Sequence, residues 1–182
     1  MAMSVGESSI AKEINGYLHH HPDETAALMP LFDALLDHSR LGRCSHHGRC
    51  PSVRAGAVLV DEQQRALALW HGKRWGFTED SPNDSDMSLS DTAIRVLREN
   101  YGVCDVWTPP AADGPLLIEV LAADDPEGEP RKRYGFRYLY YAHSGAVLPS
   151  MEKTGHVRWF PLDHLGSPLL HERLRMQLTA LA

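Results

Sequence analysis

The stretch Ala55-Gly56-Ala57-Val58-Leu59-Val60-Asp61-Glu62-Gln63-Gln64-Arg65-Ala66-Leu67-Ala68-Leu69-Trp70 decides the fold class. Val53, Ala55, Ala57 and Leu59 alternate with their neighbours, and Val58 and Val60 thicken a strand that begins at Ser52. Residues 61–64 read as a turn and 66–70 as a returning strand. Arg74-Trp75-Gly76-Phe77 follows, and then Ser81-Pro82-Asn83-Asp84-Ser85-Asp86, a composition that only a loop accommodates. A helix begins after Ser88. Asp91 stands three residues on as an approximate capping box, Gly102 is a fitting stop, and Ala93, Ile94, Leu97 and Tyr101 form the apolar side.

Working outward, three more strands are expected at 116–122, 134–142 and 156–160, with 124–132 as a charged hairpin loop. A closing helix starts at Pro168 and carries Leu169, Leu170, Leu174, Met176 and Leu178. Upstream, Ile10, Ile14 and Leu18 form a stripe at four-residue spacing that Pro22 interrupts. A second helix follows, capped by Asp23 and burying Leu28, Leu31, Leu35 and Leu36. Residues 39–51, rich in Gly, Arg, His and Cys, read as an irregular connector. The expected organisation is a helical extension and connector over 1–51, then a mixed α/β domain over 52–182.

Composition bounds the function. The 182 residues suffice for one domain with a sizeable core, and 43% hydrophobic with 23% charged residues is ordinary globular usage. A net charge of −6 argues against bulk attraction to a nucleic-acid polymer or an anionic membrane, while leaving room for a local basic pocket. Three cysteines, Cys44, Cys50 and Cys104, do not make a disulfide framework, and no apolar run reaches membrane-span length. The expectation is a cytoplasmic protein acting on a small molecule, with a homodimer as an open alternative to a monomer.

The order of these features, Ala55–Asp61, then Arg74–Phe77, then Arg95-Val96-Leu97-Arg98-Glu99-Asn100-Tyr101-Gly102-Val103, resembles the Nudix hydrolases. Val157–Leu162 is similar to that family's closing strand. The resemblance covers roughly residues 52 to 182 and implies an α/β/α sandwich with a mixed sheet. It also implies a box, G-x5-E-x7-R-E-U-x-E-E-x-G-U (U apolar), whose helix carboxylates share one face and hold Mg²⁺ or Mn²⁺ against a pyrophosphate. Here Arg95 matches the box arginine, and Leu97, Gly102 and Val103 match its structural positions. Of the helix carboxylates only Glu99 is present; Val96 and Asn100 take the other two places. Ser81 stands at the box glycine and Met87 at the box glutamate, unless one extra loop residue moves Asp86 into that role, with Asp84 a second nearby acid. Placing Val at a ligand position removes about one unit of charge beside the metal, roughly 4 kcal/mol at ~4 Å and an effective dielectric near 20.

The expected consequence is a retained scaffold and pocket that bind a small molecule or perform altered chemistry, with ordinary pyrophosphohydrolysis lost. The alternative is an active hydrolase of a nucleoside-diphosphate-linked substrate, using Glu99 and the loop acids with Mg²⁺ or Mn²⁺. Catalytic candidates are Glu99, Asp86 and the pair Glu79 and Asp80, adjacent carboxylates being able to push each other's pKa values apart. Each has a plain alternative, Glu99 as a helix carboxylate pairing with Arg95 or Arg98, the others as loop charge. Candidate substrate-binding residues are Arg95, Trp75, Arg133, Arg158 and His156. Glu99 is a weak candidate metal ligand. Cys44, His46 and Cys50 are candidate zinc ligands without the paired spacing of common zinc sites, so a polar connector is the competing reading.

Overall fold

The computed structural model describes residues 5–42, 51–110, 112–124, 130–147, 149–164 and 167–179. Helices α1 (Glu7–His20) and α2 (Thr25–Leu41) precede strand β1 (Ser52–Val60), which leads to β2 (Arg65–Trp70), β3 (Trp75–Gly76) and helix α3 (Leu89–Tyr101). Strands β4 (Leu117–Asp124) and β5 (Pro130–Tyr141), helix α4 (Pro149–Lys153), strand β6 (Val157–Pro161) and helix α5 (Pro168–Thr179) complete the chain. The sheet runs β3-β2-β1-β5-β4, with β6 on β2. It is mixed, because β1 pairs in parallel with β5, from Ser52↔Arg133 to Val60↔Tyr141, while the other ladders are antiparallel.

Successive residues of a strand face opposite sides of the sheet, and ladder partners face the same side. On one side Val53, Ala55, Ala57 and Leu59 of β1 join Tyr134, Phe136, Tyr138 and Tyr140 of β5. They pack with Ile10, Ile14 and Tyr17 of α1, Leu28, Leu31 and Leu35 of α2, and Leu89, Ala93 and Leu97 of α3. Two tyrosines tie helices to this side: the Tyr138 hydroxyl donates to Glu13 of α1, and the Tyr140 hydroxyl lies 2.8 Å from Ser90 Oγ of α3. On the other side Val58, Val60, Leu117 and Leu139 pack against Leu170 and Leu174 of α5. The result is the α/β/α sandwich.

Several boundaries and faces differ from the sequence reading. The loop expected over 124–132 is shorter, because β4 and β5 extend their ladder to Asp124↔Pro130. Asp23 does not cap α2: residues Pro22–Glu24 form a 3-10 turn, and the Thr25 hydroxyl donates to the Pro22 carbonyl at 2.7 Å. Leu36, expected in the core, is 40% exposed, because a helix of this period turns it away from the side that buries Leu28, Leu31 and Leu35. Leu169 and Met176 are likewise exposed on α5, which buries Leu170 and Leu174.

The turn between α1 and α2 meets the closing helix through a polar contact. Arg173 of α5 reaches Glu24 at 2.6 Å and donates to His21 Nδ1, while the Tyr17 hydroxyl donates to Glu24 at 2.8 Å. His21 can accept at Nδ1 only when that nitrogen is unprotonated. Burial first, and then the Arg173 charge and that of His20, hold the His21 pKa below its ordinary value against the opposing pull of Glu24 and Asp23. A histidine with a lowered folded pKa contributes stability that is complete above the unfolded value, near 6.5, and declines as the pH falls toward the folded one. Stability measured by urea unfolding is therefore expected to drop between pH 7.5 and 5, and His21→Gln, a neutral acceptor, to flatten that part of the profile.

The segment after β3 returns to β1, where Ala55 and Asp80 exchange backbone hydrogen bonds of 2.9 and 3.0 Å. The approach is close enough that a Cβ at Gly56 would stand 2.2 Å from the Thr78 carbonyl oxygen. Gly56→Ala is expected to cost about 2 kcal/mol or more, an overpacking effect against the backbone of Thr78 and Glu79, read from the midpoint of urea unfolding at unchanged slope.

Candidate functional site

Helix α3 starts where the Ser88 side chain accepts a hydrogen bond from the Asp91 backbone N–H at 3.0 Å, and it ends at Gly102 with φ 66°. Its buried side is Leu89, Thr92, Ala93, Val96, Leu97 and Tyr101. Val96, at 1% exposure, therefore belongs to the core and presents nothing to a site. Asn100 turns back on its own helix, its side-chain N–H donating to the Val96 carbonyl at 3.1 Å. Arg95 and Glu99, four residues apart on the outer edge, pair at 3.1 Å.

The loop before α3 separates Asp86 from Met87 by burial. Met87 is 87% exposed, whereas Asp86 is buried and pairs with Arg95 at 3.1 Å. Asp86 also accepts from the Asn83 backbone N–H at 2.9 Å and the Thr92 hydroxyl at 3.0 Å. So it is Asp86, and not the neighbouring Met87, that meets Arg95. Burial pushes the Asp86 pKa up, but the hydrogen bonds from Arg95, Asn83 and Thr92 and the Arg95 charge hold it below the ordinary aspartate value. Asp84 is exposed on the loop.

Glu79 and Asp80 do not act as a carboxylate pair. The Ala55↔Asp80 bridge gives this segment strand parity, so the two side chains part to opposite sides. Asp80 goes to Arg95, at 3.2 Å. Glu79 lies on the α5 side of the sheet, where it meets Arg137 at 2.8 Å and Arg133 at 3.2 Å. Arg137 also contacts Glu119 at 2.9 Å and the Thr78 carbonyl at 3.3 Å. A Cβ at Gly135 would stand 2.9 Å from Glu79 Oε2, so a side chain there would displace the carboxylate from its present place. Arg54 shares this side by its ladder position opposite Gly135. The Nε atoms of Arg54 and Arg133 are buried without a hydrogen-bond partner, the Arg133–Glu79 approach being one of charge without alignment. Three arginines against two glutamates leave one positive charge in excess.

The same side of the sheet carries an aromatic wall. Trp70 and Trp75 are ladder partners with ring centroids 5.4 Å apart, and Phe160 of β6 stands 5.0 Å from Trp75. The Arg158 guanidinium lies 6.0 Å from the Trp75 ring centre and 5.9 Å from that of Phe160. Beside them is a shallow cavity of about 340 Å³ lined by Trp70, Trp75, Thr154, Gly155 and His156. By parity Trp75, Phe77 and Glu79 project to one side, with Phe77 packed into the cluster under α5.

The structure thus sorts the residues singled out in the sequence into two groups. Asp80, Asp86, Arg95 and Glu99 converge at the start and outer edge of α3. Trp75, Glu79, Arg133, His156 and Arg158 share the α5 side of the sheet. Arg54, Glu119, Arg137, Trp70 and Phe160 were missed. The signal available for them was the alternation Arg133, Gly135, Arg137, a polar face on a strand whose other face, Tyr134, Phe136 and Tyr138, is apolar. Cys44, His46 and Cys50 lie outside the described residues; Cys104 is exposed with a free thiol. Among the described residues no group of three or more His, Cys, Asp or Glu is arranged to hold a metal ion.

No protein-family model and no curated protein sequence matches the chain. Solved structures do. The crystal structure of Shewanella oneidensis NrtR matches at 23% identity and a TM-score of 0.51, over 70% of this chain and 63% of that one. A NUDIX-family hydrolase from Clostridium perfringens matches at 15% identity and a TM-score of 0.50, over 74% of this chain and 100% of that one. The chain has the Nudix fold, and it spans less than two thirds of the length of NrtR. A divalent ion on the helix carboxylates, which that fold implies, does not fit the residues as placed. Val96 is in the core, Asn100 bonds to its own helix, and Glu99 and Asp80 are both on Arg95.

The Asp86–Arg95 pair is largely buried, with side chains 4% and 14% exposed. Asp86→Ala is expected to cost about 3 kcal/mol, because it leaves a desolvated guanidinium short of its main partner. In the wild type the same stabilisation is present above the unfolded aspartate value, near 3.9, and is lost as the pH falls through the lower folded one. Asp86→Asn should remove that acid-range dependence in urea unfolding followed between pH 5 and 2.

Proposed function

We propose that this Nudix-fold chain binds a small anionic molecule bearing a planar group, on the α5 side of its sheet, and does not carry out ordinary metal-dependent pyrophosphohydrolysis. The observation that carries the reading is the commitment of Asp80, Asp86 and Glu99 to one guanidinium, while the arginines of the sheet keep donors to spare. Arg54, Arg133 and Arg137 favour a phosphate or carboxylate, since guanidinium groups bind such oxygens through paired N–H donors. Trp70, Trp75 and Phe160, with Arg158 and His156 at their rim, favour a flat ring.

Shewanella oneidensis NrtR has also been solved with a 27mer DNA, and its NUDIX domain with ADP ribose. Those ligands are NrtR's. For this chain a net charge of −6 and an arginine group set within a sheet face support a small molecule over a nucleic-acid polymer. No described helix is long and apolar enough to cross a membrane.

The competing reading keeps a hydrolase alive through Glu99 and Asp80, whose side chains are 56% and 55% exposed despite their contact with Arg95. A panel of nucleoside-diphosphate-linked compounds, offered with Mg²⁺ or Mn²⁺, separates the two when phosphate release and thermal unfolding are followed together. Stabilisation by a ligand without turnover is the expected result. Arg133→Ala should then weaken that ligand by about tenfold or more, the scale of one charged hydrogen bond. Turnover that Glu99→Gln abolishes would replace this reading with the hydrolase.

A further inference from the structure

Arg95 has five N–H groups, and each finds oxygen. Nε faces the two Asp86 carboxylate oxygens, both at 3.2 Å. Nη2 donates to Asp86 Oδ2 at 3.1 Å and to the Ser81 carbonyl at 3.0 Å. Nη1 donates to Asp80 Oδ2 at 3.2 Å and to Glu99 Oε2 at 3.1 Å. Three carboxylates and a backbone carbonyl, gathered from the loop and from α3, surround the guanidinium, and they are spread over its width rather than gathered on one point as a divalent ion would require. In this chain they form a shell closed around a side chain.

We propose that Arg95 is the resident cation of this shell: its guanidinium takes the place of a divalent ion, joins the loop of residues 80–86 to α3, and excludes Mg²⁺ or Mn²⁺ from the box. The inference rests on the reading of a box that runs no metal chemistry, and it goes further by naming what occupies the box and what removing it would create. The geometry explains the exclusion. A second cation would have to approach a guanidinium that is 14% exposed and already bonded at every donor. To displace it, five N–H groups would have to lose their partners together, in a setting where an unpaired charge is strongly disfavoured. The planar fork matters as well as the charge, because it spreads contacts across acids that lie on two different segments.

The test is Mn²⁺ binding, followed by the electron paramagnetic resonance signal of the free ion and by thermal unfolding, on the full chain. Wild-type protein should leave the Mn²⁺ signal unchanged at equimolar concentration, and Mn²⁺ should not shift its unfolding temperature. Arg95→Ala should unfold at a lower temperature. It should also bind Mn²⁺ at least about tenfold more tightly than wild type, regaining part of the lost stability when the ion is added, because the acids are then left without a counter-charge. Adding Glu99→Gln to that variant should reverse the gain. Should Arg95→Ala fail to fold, Arg95→Gln, neutral and closer in volume, serves the same comparison.

Two results would overturn the proposal: Mn²⁺ binding by wild type that Glu99→Gln weakens, or an Arg95 variant that folds and binds Mn²⁺ no better than wild type. Neither readout depends on turnover or on a small-molecule ligand. A chain that excludes Mn²⁺ yet binds no anionic ligand would sink the functional reading and leave this one standing.

Discussion

Side chains along a strand point alternately to the two sides of its sheet, and this parity governs the polar groups of the molecule. The run from Trp75 to Asp80 crosses from β3 to the Ala55 bridge; Phe77 packs into the cluster under α5 and Glu79 meets Arg137, while Asp80 meets Arg95 of α3. Glu79 and Asp80 are neighbours in the chain and belong to different clusters. Arg54, Arg133 and Arg137 share a side because the parallel β1–β5 ladder brings residues of one parity into line. Gly56 and Gly135, at adjoining points of that ladder, leave the space in which the Thr78 carbonyl and the Glu79 carboxylate lie against the sheet.

The two clusters are charged in opposite senses. Around Arg95, three carboxylates surround one guanidinium, an excess of negative charge. Around Glu79, arginines outnumber glutamates. Each cluster is stabilised internally by charge-assisted hydrogen bonds, and each keeps an unbalanced remainder toward solvent. Because position 96 lies in the core, a carboxylate restored there would not join the acids that Arg95 holds. A glutamate at Val96 would place a carboxylate where only 1% of the residue is exposed.

The N-terminal helices are joined to the sheet by the same means. Ile10, Ile14 and Tyr17 enter the core beneath β5, and Glu13 meets the Tyr138 hydroxyl there. Burial raises the Glu13 pKa against the lowering effect of that hydrogen bond. The turn between the two helices is then fastened by Arg173 of α5, through Glu24 and His21.

Local pattern was enough to place α1, α2, α3, α5 and the strands β1, β2, β4, β5 and β6 in order, with the apolar stripes at Ile10–Ile14 and Leu97–Tyr101 and the alternation of β1 and β5, but not the short β3 or α4. These depend on periodicity and residue type, which the chain carries along its length. Tertiary structure alone decided that Asp86 rather than Met87 holds Arg95, that Val96 is buried, that Leu36 faces outward, and that Glu79 leaves Asp80 for Arg137. Each of those outcomes turns on which face meets which neighbour. That is settled by ladder register and helix rotation against partners as much as 58 positions away in the chain, as for Glu79 and Arg137, where local spacing has no influence.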